Sequence, residues 1–370
     1  MNTYRAIKVS EPFTTQDELK AIREVLLSGQ FVSGRKVKEF EERFANYLGV
    51  KHAVAVSSGT AALHIALILL GVKLGDEVIV PPLSFFATIE AVLYQGSVPV
   101  FADIDPRSFC LDSQDVERKI TKATVAIIPV HLFGNAADMD GIMDVAERYD
   151  LAVIEDAAQA HGTEYKGKKV GGIGNMGAFS FYATKHMTTG EGGALVTNDG
   201  EWARMARIIR NHGLIDANHH DYLGYNYRMN EMAAAIGIVQ LKRLEEMNER
   251  RIVNSLYLLG ELDKRNLGWL TVPELNTNVR HTFFWCPVLV NGERLGLSAT
   301  ELATKLKKKG IETRHRYHEP LYRQRALGPS YRNTHLKNAE QVAGRLIGLP
   351  NHPNLNKDDL DYIVTTLEEL

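Results

Sequence analysis

The first two-thirds of the chain alternate between short apolar runs rich in Val, Ile, Phe and Ala and longer stretches of helical spacing. The runs cover residues 53–57, 77–81, 99–104, 125–131, 151–157, 177–184 and 193–198. Most are too continuously apolar to belong to a sheet with one wet face. Helical patterns at 61–70, 88–94, 138–149 and 201–211 separate several of them. This alternation predicts an α/β fold with a mostly parallel sheet covered by helices on both faces. Ligands of such sheets bind outside the carboxyl ends of the strands.

After Met229 the pattern changes. Residues 231–251 read as one long helix with Ile236, Val239, Leu241 and Leu244 on its apolar face. A strand at 282–290, a helix at 298–309, a strand at 311–317 and two C-terminal helices then suggest a smaller α+β domain. The last helix has a readable start, with Asn356 as cap and Asp358 and Asp359 in the first turn. The expected division is a large domain over 1–250, including an N-terminal arm, and a small domain over 251–370.

Composition adds little beyond this. The 370 residues are 45% hydrophobic and 24% charged, as in an ordinary globular protein. A net charge of -2 without long single-sign runs argues against nucleic-acid or acidic-membrane partners. Cys110 and Cys286 lie in apolar runs without CxxC spacing and read as buried free thiols of a reducing compartment. Residues 1–12 lack the apolar core of a signal peptide, and the apolar run 61–72 is too short to cross a bilayer. A cytoplasmic protein is expected.

The candidate chemistry lies at the strand mouths. Lys185 follows an apolar strand and precedes the glycine-rich Gly190-Glu191-Gly192-Gly193, whereas Asp156 ends the run Val153-Ile154-Glu155-Asp156. A lysine and an aspartate so placed are what a pyridoxal phosphate (PLP) enzyme needs: the lysine forms the Schiff base and the aspartate partners the pyridinium nitrogen. Freed from the cofactor, the lysine then serves as the base that moves the proton. Ser58-Gly59-Thr60 opens a helix directly after the first run, where backbone N–H groups and the helix dipole favour a phosphate. Ser180 is placed to add another phosphate contact. Phe85, at the mouth of the second strand, can stack on the pyridine ring, and Gln159 can reach the phenolic oxygen. His161 is read equally as substrate-facing or locally bonded.

Two patterns are set aside. Gly172-Ile173-Gly174-Asn175-Met176-Gly177 matches GxGxxG but precedes a strand rather than opening a helix, so it reads as a loop. The histidines at 219–220 and within 315–318 lack a partner set with metal-ligand spacing, and no metal is expected.

Taken together, these stations resemble the DegT/DnrJ/EryC1/StrS family of PLP-dependent sugar aminotransferases. The likeness runs through Ser58-Gly59-Thr60-Ala61-Ala62-Leu63, Gly75-Asp76-Glu77-Val78-Ile79-Val80-Pro81, Asp103-Ile104-Asp105-Pro106 and Pro129-Val130-His131-Leu132-Phe133-Gly134. It continues through Glu155-Asp156-Ala157-Ala158-Gln159, the Lys185 segment, Gly224-Tyr225-Asn226-Tyr227-Arg228-Met229 and Leu349-Pro350-Asn351-His352-Pro353. The resemblance implies the aspartate aminotransferase-like fold (PLP fold type I), with a seven-stranded, mostly parallel sheet and a smaller C-terminal domain. It also implies a homodimer with shared active sites, in which Asn226 contacts the phosphate across the interface. The implied reaction moves an amino group from glutamate to a keto sugar, here a nucleotide-linked keto-6-deoxyhexose. A keto-inositol, an eight-carbon keto sugar acid, or a non-catalytic regulatory protein are the alternatives.

Family members with histidine at the lysine position act as dehydratases, and Lys185 argues against that branch. The C-terminal substrate segment departs from the family's Tyr-Tyr-Pro-Pro-Leu-His pattern. Here it is Tyr317-His318-Glu319-Pro320-Leu321-Tyr322, preceded by Arg314, His315 and Arg316. The positive charge there suits a diphosphate or a sugar-acid carboxylate.

Overall fold

Apolar strands of this chain meet in two sheets that bury separate cores. The computed structural model describes residues 6–32 and 34–370, so Met1–Arg5, part of the N-terminal stretch read above, lie outside the described residues. In chain order the first strands are β1 (His52–Val56), β2 (Glu77–Val80), β3 (Val98–Phe101), β4 (Thr124–Ile127) and β5 (Ala152–Asp156). A short hairpin, β6 (Glu164–Tyr165) and β7 (Lys168–Lys169), precedes β8 (Met176–Ser180) and β9 (Gly193–Thr197). The large sheet has the order β1-β9-β8-β5-β4-β2-β3, and only β9 runs antiparallel to its neighbours. The expected seven-stranded, mostly parallel α/β sheet is therefore present. Its strands are buried almost throughout, as the continuous apolar runs require.

The helix Gly59–Leu69 is buried nearly all round, which explains why the run 61–72 carries no polar face. Its one interruption, His64, is buried and bonds Tyr227 Oη through Nδ1 at 3.1 Å. Two N-terminal helices, Gln16–Ser28 and Arg35–Leu48, were not evident from the pattern. The second is held at its start by the buried Glu231 carboxylate, which accepts from the N–H groups of Gly34, Lys36 and Val37.

The long helix runs from Glu231 to Arg265, farther than the spacing predicted, and passes through residue 250 without a break. Beyond it, β10 (Leu270–Thr271), β11 (Val279–Arg280), β12 (Cys286–Val290), β13 (Arg314–His315) and β14 (Leu346–Leu349) follow. Four of them form an antiparallel sheet in the order β10-β12-β14-β13, backed by helices Ala299–Lys308 and Lys357–Glu368. β13 covers only part of the predicted strand 311–317. Asn356 caps the last helix in a full capping box with Asp359, as read.

The second core gathers Leu258, Leu262, Val288, Leu302, Ile347 and Ile363, and the chain's own beginning joins it through Ile7. The Ile7 N–H donates to Gly310 O, and Ile7 O accepts from Glu312 N–H. Segments 284–285 and 321–346 contribute instead to the first core. Both cysteines are buried free thiols. No helix among the described residues is long and apolar enough to cross a membrane.

Candidate active site

Strand order decides what meets at the carboxyl edge. β5 and β8 are adjacent and parallel, so Asp156 and the turn carrying Lys185 emerge side by side. Antiparallel β9 begins at the same edge, and Val56, Gly193 and Ser180 form one row across β1, β9 and β8. The start of the helix Gly59–Leu69 lies against this row. Ser58 caps it, its Oγ accepting from Ala61 N–H at 3.1 Å. Gly59 allows the approach: a Cβ there would lie 2.9 Å from Ser180 Cβ and 3.3 Å from Phe179 O. Thr60 and Ser180 are half-buried beside the first-turn N–H groups of this helix. This is the geometry of an anion cradle.

Asp156 is buried, and its two oxygens accept from Thr88 Oγ1 at 2.8 Å and Ala158 N–H at 3.2 Å. Ser84 Oγ lies 2.8 Å from Thr88 Oγ1, extending the hydroxyl chain. Burial raises the Asp156 pKa, against the two hydrogen bonds and the charges of Lys185 and His131. Lys185 is half-buried, with Nζ 4.7 Å from the centre of the Phe284 ring. Burial pulls its pKa down to about 8; Asp156 opposes the shift and Arg316 adds to it. A lysine in this range can take up and give back a proton near neutral pH.

Gln159 is buried beside them. Its Oε1 accepts from Phe133 N–H at 3.2 Å and its Nε2 donates to Tyr317 Oη at 3.3 Å, leaving one amide hydrogen for a further acceptor. Phe85 is 55% exposed, which excludes a core role, and it carries the Arg316 guanidinium 6.0 Å from its ring centre. Asn226 is exposed. Its segment lies on the end of β1, where Tyr227 O accepts from Ser57 N–H at 2.8 Å and Arg228 bridges Val56.

The structure differs from the sequence reading at the histidines. His161 does not face an opening: it is fully buried against Phe179, Phe181 and His186, and burial drives its pKa to about 3. The neighbouring His186 is likewise buried, 5.7 Å from the Phe284 ring centre. The GxGxxG match opens no helix, as read: residues 172–175 form a loop and Met176 and Gly177 begin β8, and the purpose of the loop is visible. Glu155 accepts from the N–H groups of Gly171, Ile173 and Gly174 at 2.6–2.7 Å. Its Oε2 also receives His131 Nε2 at 2.9 Å, and His131 Nδ1 accepts from Ala137 N–H. Glu155 thus braces the strand that delivers Asp156.

Sequence reasoning missed Thr88 and Phe284 as neighbours of the site, and gave Tyr317 only as part of the substrate segment, without its bond to Gln159. Ser84 and Thr88, two hydroxyls four residues apart in the segment that leads into the helix Ala87–Tyr94, were a readable signal for the first. Phe284 lies just before β12, in the segment that packs into the first core, and local pattern carries no sign of it.

The donor set fits PLP: an anion cradle, a half-buried lysine of lowered basicity, and a buried carboxylate with no salt bridge among the described residues. The profile of the DegT/DnrJ/EryC1/StrS aminotransferase family matches residues 12–368. GDP-perosamine synthase of Caulobacter vibrioides is 41% identical over 346 residues, 91% of this chain and 90% of that protein. UDP-N-acetyl-3-dehydro-alpha-D-glucosamine 3-aminotransferase of Acidithiobacillus ferrooxidans is 37% identical, covering 94% of this chain and 92% of its own. The PLP form of Spr1654 from Streptococcus pneumoniae superposes with a TM-score of 0.89 at 29% identity, covering 98% of each chain. The chain belongs to the DegT/DnrJ/EryC1/StrS family. It is an aminotransferase.

Proposed function

We propose that the protein binds PLP and transfers an amino group from glutamate to a keto sugar carried on a nucleotide, a keto-6-deoxyhexose. The observation that carries this reading is the pairing of Lys185 with the buried Asp156 at adjacent strand ends, below an anion cradle. When bound, PLP supplies an electron sink for the carbanion next to the amine. Asp156 holds a proton on the ring nitrogen, and Thr88 holds Asp156. Gly59, Thr60 and Ser180 take the phosphate, Phe85 covers the ring, and Gln159 donates to its phenolic oxygen. Lys185 anchors the cofactor at rest and, once displaced by an amino substrate, moves the proton at the reacting carbon.

The nucleotide-linked acceptor is supported by the names of two relatives, a GDP-sugar synthase and a UDP-sugar aminotransferase. A homodimer with shared sites and a cytoplasmic location complete the proposal. Leu19, Leu26 and Leu27 share one exposed face of the helix Gln16–Ser28, and Phe31 and Val32 follow it. Such an apolar surface supports a subunit contact, through which Asn226 reaches the neighbouring site's phosphate.

The test is spectroscopic. Glutamate should bleach the visible band of the PLP-loaded protein with release of one equivalent of 2-oxoglutarate, and a nucleotide-linked keto sugar should restore it. A PLP-saturated protein that ignores glutamate would refute the reading.

A further inference from the structure

The basic run before the substrate segment is not one feature but several. Arg314 lies in β13, paired with Gly348 of β14, and is half-buried there. His315 is tied at both ring nitrogens, to Thr300 Oγ1 and to Gly344 O, each at 3.1 Å. His318 rests edge-on against the His315 ring at 4.1 Å. Glu319 accepts from Gln324 Nε2 at 3.0 Å. These residues hold the segment in place.

Arg316 is different. It is exposed, forms no salt bridge among the described residues, and lies over Phe85 at the mouth of β2. The next residue, Tyr317, bonds Gln159 inside the site. Arg316 therefore sits at the rim of the site, near Phe85 and next in sequence to the Tyr317 that bonds Gln159, close enough for its charge to act on Lys185. A guanidinium without a salt bridge, 6.0 Å from an aromatic ring centre, keeps its planar fork free for two parallel hydrogen bonds to a carboxylate or phosphate. Its positive charge also disfavours the protonated form of Lys185. A negative group arriving at Arg316 would relieve that repulsion at the moment the substrate enters.

We propose that Arg316 is the site's receptor for an anionic group of the substrate, a carboxylate of the amino donor or the diphosphate of a nucleotide-linked acceptor. This inference rests on the aminotransferase reading and deepens it.

The test compares wild-type protein with Arg316→Met and Arg316→Lys, all PLP-loaded. Calorimetric titrations use glutarate, which carries the donor's carboxylates without its amine, and GDP and UDP, which carry the diphosphate. Loss of the charge-assisted pair should weaken binding by about ten- to a hundredfold in Arg316→Met, with Arg316→Lys between the two. Weakening confined to glutarate assigns Arg316 to the donor; weakening confined to GDP or UDP assigns it to the acceptor; weakening of both assigns it to a shared subsite. Equal affinities in all three proteins, or a wild type that binds none of the probes, would overturn the proposal. Bleaching of the wild-type band by glutamate is recorded in parallel. Its failure refutes the aminotransferase reading, whereas normal bleaching with unchanged titrations refutes only the role of Arg316.

Discussion

Thr88 Oγ1 donates to Asp156 Oδ2 at 2.8 Å, and this hydroxyl is the strongest side-chain contact holding the buried carboxylate. Removing it with Thr88→Val keeps the volume but costs a hydrogen bond to a charged group, roughly 1.5–3 kcal/mol. Turnover should fall by about tenfold to a hundredfold, while Thr88→Ser keeps most of it. Steady-state rates for the two variants decide the matter; equal rates for Val and wild type would separate Thr88 from the chemistry.

Asp156 should also be a stability cost in the cofactor-free protein. Burial raises its pKa, so the folded state binds this proton more tightly than the unfolded chain does. The group's contribution is present below about pH 4 and lost as pH rises through the folded value. Asp156→Asn should therefore melt at a higher temperature than wild type at pH 8 without PLP, and the gap should close in acid. The same variant should lose turnover by orders of magnitude. A wild type that melts higher at pH 8 would contradict the assigned shift.

Lys185 should react as an amine of lowered basicity. With a pKa near 8 instead of 10.5, half of it is unprotonated at mildly alkaline pH. In the cofactor-free protein, acetic anhydride labelling followed by peptide mapping should show a midpoint near pH 8 for this lysine. In Asp156→Asn the midpoint should move lower, because the carboxylate's charge favours the protonated amine. A midpoint near 10.5 would mean that the amine is exposed to water.

Gly59 carries a packing prediction. A methyl group at this position meets Ser180 Cβ at 2.9 Å, so Gly59→Ala must lift the helix start off the sheet edge. Overpacking of this kind costs about 1–3 kcal/mol. PLP affinity, read by dialysis or fluorescence quenching, should weaken by about tenfold with the circular dichroism unchanged. Undiminished affinity would show that the phosphate is not held there.

Most of the large sheet was legible because parallel strands buried on both faces leave continuous apolar runs, and Asp156 and Lys185 stand at the ends of two of them. The N-terminal helices were not, since charged residues fill half the positions of 35–48 and the start of that helix is held by the distant Glu231. The end of the long helix was misjudged because its buried face continues through polar residues, Arg251, Asn254 and Ser255. By sequence position His161 read equally as substrate-facing or locally bonded; the aromatic wall of Phe179, Phe181 and Phe284 encloses it together with His186. What brings Phe284 over Lys185 and Tyr317 onto Gln159 is the docking of the second sheet, which is a long-range relation with no local signature.

The most direct test of the account is to reduce the PLP-loaded protein with sodium borohydride and map the modified peptide by mass spectrometry. The account predicts a single pyridoxyl-phosphate adduct on Lys185, absent from Lys185→Ala, which still folds but has lost transamination. An adduct on another lysine, or none on protein saturated with PLP, would contradict it.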